Sequence, residues 1–485
     1  MRTWLCAALI TTGVIGAAVT GEVGCSSADC SFDATCGQPF DGGADSGIVV
    51  PPGCSLEDEP KANPKCVVNS LGVFVSATGG DDTAGDGTKE KPFKTFGKAV
   101  LSLSTQQFRL YVCEGNYEAN LAFDASRSGL GIYGGFACND WRYTGGRGKV
   151  AAADVSAPAL RLIGLTSATV SDMEFSVGDA TNDGGSSIAA FVANTDVNFT
   201  SVKLSAGKGK AGKSAQVPAF PFPADLDGNP GSSAGPGAAK TAKCQGDGFT
   251  TVGGKGGAIN GDGDPGTPKV PDGHGGAAGT HDSCLKLNAG GLPGDNGPAG
   301  PDGAGAGVAG TLDANGWSAA AGVNGTNGSP GQGGGGGGGK DWGGGGGGAG
   351  GCGGSGGPGG QAGGSSIALA SFQSSVRFVG SDLVASDGAG AGNGAGGQPG
   401  QTVVGAGGTV PGSACPGGDG GKGGKGGTGG GGAGGVSVGV VHSGNAPNVD
   451  SATTITIGQG GAKGAGAIPG THDGIDGPAQ KILPL

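Results

Sequence analysis

Gly207-Lys208-Gly209-Lys210-Ala211-Gly212-Lys213-Ser214 has the spacing of a phosphate-binding loop, in which backbone N–H groups and a lysine cradle a polyphosphate. That chemistry needs a helix directly after the loop, with its positive end facing the phosphates. The residues that follow, Gln216-Val217-Pro218-Ala219-Phe220-Pro221-Phe222-Pro223, cannot form one, because proline lacks the donor and clashes inside a helix. The match reads as chance in a chain where glycine supplies 120 of 485 residues. Gly-Thr-His-Asp occurs twice, at Gly279–Asp282 and Gly470–Asp473, and holds two of the four histidines. A paired His/Asp site would bind a metal or move a proton. The simpler reading is a turn in which Asp caps the backbone. Gly80-Asp81-Asp82 through Asp86-Gly87, and Asn260 through Asp264, offer oxygen ligands for Ca²⁺. Their spacing fits no EF-hand loop, and they read as solvated turns. No metal, cofactor or catalytic residue is assigned.

Ten cysteines remain after Cys6 and Cys25 are set aside: Cys30, Cys36, Cys54, Cys66, Cys113, Cys138, Cys244, Cys284, Cys352 and Cys415. They fall along the chain as five close couples. An even count in an exported chain reads as disulfides, and pairing of sequence neighbours is the working expectation. Zinc is a poor alternative, since no Cys-x-x-Cys exists. Arg2 followed by the apolar run Leu5–Val19 has the form of an export signal, too short to span a membrane. Small residues around Gly16–Gly21 suit an ordinary signal peptidase. Val23-Gly24-Cys25, followed by Ser26-Ser27, resembles the acylated start of a bacterial lipoprotein, although Glu22 stands where an aliphatic residue belongs. The chain is expected outside the cytoplasm, either as a surface or outer-membrane lipoprotein acylated at Cys25 or as a freely secreted protein. A net charge of −11 excludes the clustered basic face that nucleic acid requires, and leaves a lipid anchor as the only expected tie to a membrane.

The elements that must position any site come from the glycine-poor stretches, because glycine contributes no side chain to a core. These are 67–207, 365–387 and 436–457, roughly 190 residues, enough for one core. Ser186-Ser187-Ile188-Ala189 recurs as Ser365-Ser366-Ile367-Ala368, and the alignment continues without a gap: Val197 with Val376, Phe199 with Phe378, Leu204 with Leu383, Ala206 with Ala385. A looser copy lies at Val436–Val441 and Thr453–Ile457. Such repeats predict a solenoid whose copies sit on adjacent coils. Strand-like runs cover Arg109–Val112, Asn120–Phe123, Leu130–Tyr133, Ala159–Ile163 and Thr169–Val177. Phe93, Phe96, Val100 and Leu103 have helical spacing, with Pro92 at the helix start, and this helix would cap the first coil.

The glycine-rich stretches interrupt these units. Residues 291–303 hold a few Gly-X-Y triplets, too few for a collagen helix. Gly331–Gly364 and Gly420–Gly435 repeat Gly-Gly-x, and a period of three suits extended helices with three residues per turn. The expectation is side-by-side packing as polyglycine II, against the alternative of a flexible loop. The organisation predicted is a signal peptide at 1–24, a Cys-containing tether at 25–70 and the first part of the solenoid at 71–207. A glycine/proline-rich insert at 208–364 precedes a rung at 365–387. A second insert at 388–435, a rung at 436–458 and a glycine-rich tail at 459–485 complete it.

Residues 73–99 carry a recognisable pattern: Val73–Ser76, Gly80, Asp82, Gly87-Thr88, Glu90-Lys91-Pro92-Phe93-Lys94-Thr95 and Ala99, followed by Tyr111-Val112, Gly115, Tyr117 and Ile132–Phe136. This resembles the N-terminal part of bacterial right-handed parallel β-helix proteins of the pectate-lyase-like type. The glycine-rich inserts resemble PGRS-type repeats. The resemblance implies an all-β, right-handed parallel β-helix with long inserts. It says little about function, since that fold hosts lyases, hydrolases, adhesins and inert surface proteins. Its enzymes place carboxylates and an Arg or Lys on one sheet face. Glu114, Asp124, Arg127, Asp172 and Glu174 are residues of those types, but nothing in the sequence groups them, and Glu174, between Met173 and Phe175, should point outward. The function expected is structural or adhesive and non-enzymatic, with envelope polysaccharide or other surface proteins as partners. The competing expectation is a protein that binds or cleaves polysaccharide.

Overall fold

The computed structural model describes residues 48–485 apart from 218, 246–247, 270–275, 283 and 285–288. The signal segment, Cys25, Cys30 and Cys36 lie outside the described residues.

Three parallel sheets carry the hydrophobic core. The first stacks Gly72–Val75, Arg109–Cys113, Leu130–Phe136, Ala168–Ser171, Asp196–Thr200, Ser375–Val379 and Asn448–Val449. The second stacks Gly115–Glu118, Gly148–Ala151, Met173–Val177, Lys203–Ala206, Asp382–Ala385 and Thr454–Thr456. The third stacks Leu121–Phe123, Leu160–Ile163, Ser187–Ala193, Ser366–Phe372, Ser437–Ser443 and Ala479–Pro484. From Arg109 onward the chain visits the three sheets in rotation. The predicted run Thr169–Val177 is two strands on two sheets, separated at Asp172, whose φ of 54° turns the corner. Two second-sheet strands, Gly115–Glu118 and Gly148–Ala151, went unpredicted because each buries little: only Tyr117 in the first, Gly148 and Val150 in the second.

Register explains the repeats. Ser187 pairs with Ser366, Val197 with Val376, Phe199 with Phe378, Leu204 with Leu383 and Ala206 with Ala385. The two copies are hydrogen-bonded neighbours, and the looser copy stacks next, with Ser366 on Ser437 and Leu383 on Ile455. Like residues therefore lie over like residues. Val73, Leu110, Ile132, Val170, Phe199 and Phe378 form one buried column, and the rings of Phe199 and Phe378 stack at 5.1 Å. Each fully buried Leu or Phe contributes about 1.5–3 kcal/mol.

A helix, Phe96–Ser102, seals the first coil by burying Phe96 and Ala99 beside Val73 and Val75. It starts four residues later than Pro92 suggested. Asp82 accepts hydrogen bonds from the Lys94 and Thr95 amides, and Thr95 becomes the N-cap, accepting from the Lys98 amide. Phe93 instead bridges Val75 in strand fashion. The last part of the expected tether is also packed. Residues 54–66, joined by Cys54–Cys66, lie on the outside of the first sheet, where the Tyr111 hydroxyl donates to the Cys66 carbonyl at 2.5 Å. The tail is not glycine to its end, since Ala479–Pro484 pairs with Ser437–Ser443.

The glycine-rich stretches form a second body of main-chain hydrogen bonds with a three-residue period. Gly322, Gly325, Gly328, Gly331, Gly334 and Gly337 donate to Gly360, Gly357, Gly354, Gly351, Gly348 and Gly345 at 2.8–2.9 Å. Gly351, Gly354, Gly357 and Gly360 then donate to Gly421, Gly424, Gly427 and Gly430. Those four donate onward to Gln332, Ser329, Thr326 and Val323, closing a three-way contact. Glycine is needed by close approach: a Cβ on Gly334 would lie 2.0 Å from the Gly418 carbonyl oxygen, and one on Gly347 would lie 1.9 Å from that of Gly334. Some third residues of the Gly-Gly-x triplets point outward, as Lys422 and Lys425 do, and others, such as Ala349, Cys352 and Ser355, are buried inside the body. Side chains finish the edges. Asn324 and Asn327 accept from the Gly359 and Gly356 amides at 2.8 Å, Asn296 from Lys422 at 2.7 Å and Asp302 from Thr428 at 2.6 Å.

Two disulfides tie this body. Cys244 bonds Cys352 and Cys284 bonds Cys415, which corrects the neighbour pairing expected for these four. Cys352 lies buried in the glycine body next to the Lys240–Lys243 hairpin strand, so proximity follows the packing rather than the sequence. Cys113–Cys138 joins sequence neighbours, as does Cys54–Cys66.

Candidate functional site

The corner between the first and second sheets gathers three of the five acid/base candidates. Asp172 is only 4% exposed. The Tyr143 hydroxyl donates to its Oδ1 at 3.1 Å, and Lys61 Nζ, itself 2.9 Å from Glu59, lies 3.9 Å from its Oδ2. Burial holds the Asp172 carboxyl above its ordinary 3.8, and burial, followed by the Asp172 charge, pushes the Tyr143 hydroxyl to about 12. A carboxyl so placed keeps a proton more readily than an exposed one. Glu114 accepts from the Thr144 hydroxyl one turn of chain away, and Glu174 points outward as expected, paired with Lys203 at 3.1 Å.

Beside this corner the outer face of the second sheet carries one column of side chains: Asn116, Lys149, Glu174, Lys203, Asp382 and Thr454. Signs alternate from Lys149 to Asp382, so each charge meets an opposite neighbour across the strands. Arg147 bonds Asp382 at 3.2 Å, and the Thr454 hydroxyl donates to the same carboxylate at 2.8 Å. Glu114, Asn116, Arg147, Lys149 and Glu174 line an open trough of about 650 Å³ there. Its chemistry suits a hydroxyl-rich or mixed-charge chain held at the surface.

Asp124 and Arg127 do not join this group. Asp124 caps a short turn by accepting from the Ser126 amide at 3.0 Å, and Arg127 donates to the Leu103 carbonyl at 2.7 Å. The Gly207–Ser214 stretch is followed by no helix. Its backbone enters the glycine body, with Gly209 donating to Asp387 and Gly212 to Gly390, and Lys213 pairs with Asp183 at 2.8 Å. The two Gly-Thr-His-Asp copies serve separate turns. His281 Nδ1 lies 2.7 Å from Asp262, whereas Asp473 accepts from the Gly466 amide at 2.9 Å and pairs with Lys463. Asp81, Asp82 and Asp86 are spent on backbone amides of their own loop. Cys54, Asp58 and Cys66 are the one three-residue group of metal-ligand types among the described residues, and two of the three are disulfide-bonded.

Sequence reasoning passed over Tyr143, whose role depends on Asp172 across 29 residues, and over Gln398 and Gln401. The Gln398 amide both accepts from the Phe220 N–H and donates to the Phe220 carbonyl, each at 2.9 Å, and Gln401 donates to the Pro223 carbonyl at 2.7 Å. Their three-residue spacing in a glycine-rich stretch was the available signal. Against models of known families, curated proteins and solved structures the chain finds no match, so its geometry is the ground for reading its function.

Proposed function

We propose that the chain is an exported, non-enzymatic structural or adhesive protein of the cell surface: a right-handed parallel β-helix that carries a polyglycine-II bundle. The observation behind this reading is the glycine body itself. A hydrogen-bonded lattice of buried main chain, crossed by two disulfides, gives a compact surface unit with few side chains for a protease to grip. Four disulfides fit an oxidising compartment. No helix among the described residues is long and apolar enough to cross a membrane; a lipid on Cys25 is the attachment proposed, with free secretion as the alternative. Envelope polysaccharide or a neighbouring surface protein would be the partner. Protease challenge tests the reading: the oxidised protein should resist proteinase K from residue 208 to 435 and lose that resistance on reduction. Surface labelling of the producing cells, with mass spectrometry of the mature N terminus, tests placement and anchor.

The Asp172 corner favours one second reading, a polysaccharide-cleaving site. Turnover in a polysaccharide panel that disappears in Asp172→Asn would establish it and overturn the first.

A further inference from the structure

We propose that the Asp172 corner modifies itself: Lys61 Nζ condenses with the Asp172 carboxyl to form an amide bond between the two side chains, and Glu59 relays the protons. The geometry sets the three groups in order. Lys61 Nζ lies 2.9 Å from Glu59 Oε2 and 3.9 Å from Asp172 Oδ2, and the Tyr143 hydroxyl donates to Asp172 Oδ1 at 3.1 Å. The two oxygens of the Asp172 carboxyl are therefore inequivalent. Oδ1, held by a donor, is the carbonyl oxygen on which charge gathers during attack. Oδ2, which faces the amine, is the hydroxyl that leaves. Burial favours the uncharged carboxyl, the form an amine attacks. The Asp172 side chain is only 6% exposed, and the Glu59 charge reaches Asp172, Tyr133 and Tyr143 alike, so acid, relay and two aromatic rings share one enclosure. Gly135 makes room for it: a Cβ there would lie 2.6 Å from the Tyr143 ring and 3.3 Å from Asp172 Cβ.

The nucleophile sits on a fixed segment. Cys54–Cys66 closes the turn that carries Lys61, the Ala62 and Asn63 amides both donate to the Glu59 carbonyl, and Arg109 and Tyr111 donate from the sheet below to the Leu56 and Cys66 carbonyls. Groups held in productive orientation react at effective concentrations of roughly 10⁵ M or more, which is what a condensation in water needs. The step balances without another reactant. Glu59 takes a proton from the ammonium, and the amine nitrogen bonds Asp172 Cγ. The Cγ–Oδ2 bond breaks, and Oδ2 leaves as water with its own proton and one passed on by Glu59. One proton stays on the amide nitrogen, and the last goes through Glu59 to solvent. Nζ starts 3.9 Å away on a side chain 26% exposed, so closure is slower than folding. A freshly folded chain carries the free Asp172 carboxyl, and the bond accumulates afterwards. Once formed, it leaves no carboxyl there for cutting polysaccharide. It also supplies a tie the disulfides do not. Cys54–Cys66 lies within the outer segment and Cys113–Cys138 within the sheets and their loops, whereas Lys61–Asp172 joins that segment to a strand corner 111 residues on (172 minus 61), in a form reducing agents do not open.

The test is intact-mass spectrometry of the oxidised full chain, followed from fresh folding until the mass is constant, with tandem mass mapping of a tryptic digest after reduction. The expected result is the loss of one water, a peptide in which Lys61 is joined to Asp172, and no tryptic cut after Lys61. Lys61→Arg, which keeps the charge, should hold its full mass with unchanged circular dichroism, while Lys65→Arg on the same segment should still lose the water. Glu59→Gln should form the bond at least about tenfold more slowly. A constant mass in the parent chain, a lost water that maps to an Asp-Gly succinimide with no linked peptide, or an undiminished rate in Glu59→Gln would overturn the proposal.

Discussion

Gly396 and Gly397 are adjacent glycines to which the structure gives opposite roles. A Cβ on Gly396 meets nothing within 4 Å, whereas one on Gly397 would lie 2.0 Å from the Gly426 carbonyl oxygen and 2.6 Å from that of Gly427. Real Cβ atoms essentially never come within 3.0 Å, so Gly397→Ala must open that contact by at least 1 Å. The contact is flanked by the Gly426-to-Gln398 and Gly429-to-Ala395 hydrogen bonds, at 2.9 and 2.8 Å. Losing both costs about 1–3 kcal/mol, overpacking strain adds about 1–3, and the reduced freedom of the unfolded chain returns about 0.4–1. At the midpoints of these ranges a net loss of about 3 kcal/mol is expected for Gly397→Ala, and a gain of about 0.4–1 kcal/mol for Gly396→Ala. Native-state hydrogen exchange reads this locally. The Gly426 and Gly429 amides should exchange roughly 30- to 1,000-fold faster in Gly397→Ala and no faster in Gly396→Ala. Equal effects of the two substitutions, or unprotected amides at 426 and 429 in the parent protein, would refute the lattice argument.

Acid should loosen the array edges. Hydrogen bonds from the Thr428, Gln459 and Gly466 amides, in each case the leading cause, hold the carboxyls of Asp302, Asp387 and Asp473 below 3.8. Their contribution is complete above the unfolded-state pKa and lost as pH falls through the lower folded value, so the melting temperature should drop below about pH 4. Asp302→Asn, which keeps the acceptor, should flatten that drop; an unchanged pH profile would contradict the capping role. Asp172 has the opposite sign: with its folded pKa raised, ionisation costs stability as pH rises above 3.8. Asp172→Asn should therefore gain stability relative to the parent at pH 7 and not at pH 3, as read by denaturation midpoints. Peptide mapping without reduction should recover Cys244 linked to Cys352 and Cys284 to Cys415. Because these close spans of 108 and 131 residues, removing either pair should cost about 4–5 kcal/mol in the chain-entropy account, against about 3 for Cys54–Cys66.

The stacked parallel strands were legible because their side chains repeat. Once Ser186–Ala206 aligned with Ser365–Ala385, strand, register and adjacency followed together. The corner at Asp172 was visible as a polar break in an apolar run, but its partners were not, since Tyr143 and Lys61 reach it from distant loops. The helix start was misplaced because Asp82, twelve residues upstream of Lys94, decides it. In the glycine stretches the period of three was readable and the partners were not. Identical triplets offer many registers of equal local merit, and only the asparagine, aspartate and glutamine positions distinguish them. The cysteine pairing failed for the same reason: Cys244 and Cys352 meet through the fold of the glycine body, about which spacing is silent.

The three-residue period of that body also sets the currency in which its length can change. Between Gly322 and Gly337 every third amide faces Gly345–Gly360, and other positions of the same stretch face Asp295, Pro298 and Pro301. Deleting one residue at Gly328 would turn every later triplet by a third of a revolution, carrying an outward side chain such as Ser329 onto a face where only glycine fits. Deleting a whole triplet would shorten the arm and leave each face intact. Inheritance should therefore tolerate gain or loss here in threes, much as a reading frame does, while the strands of the parallel sheets answer to a step of two.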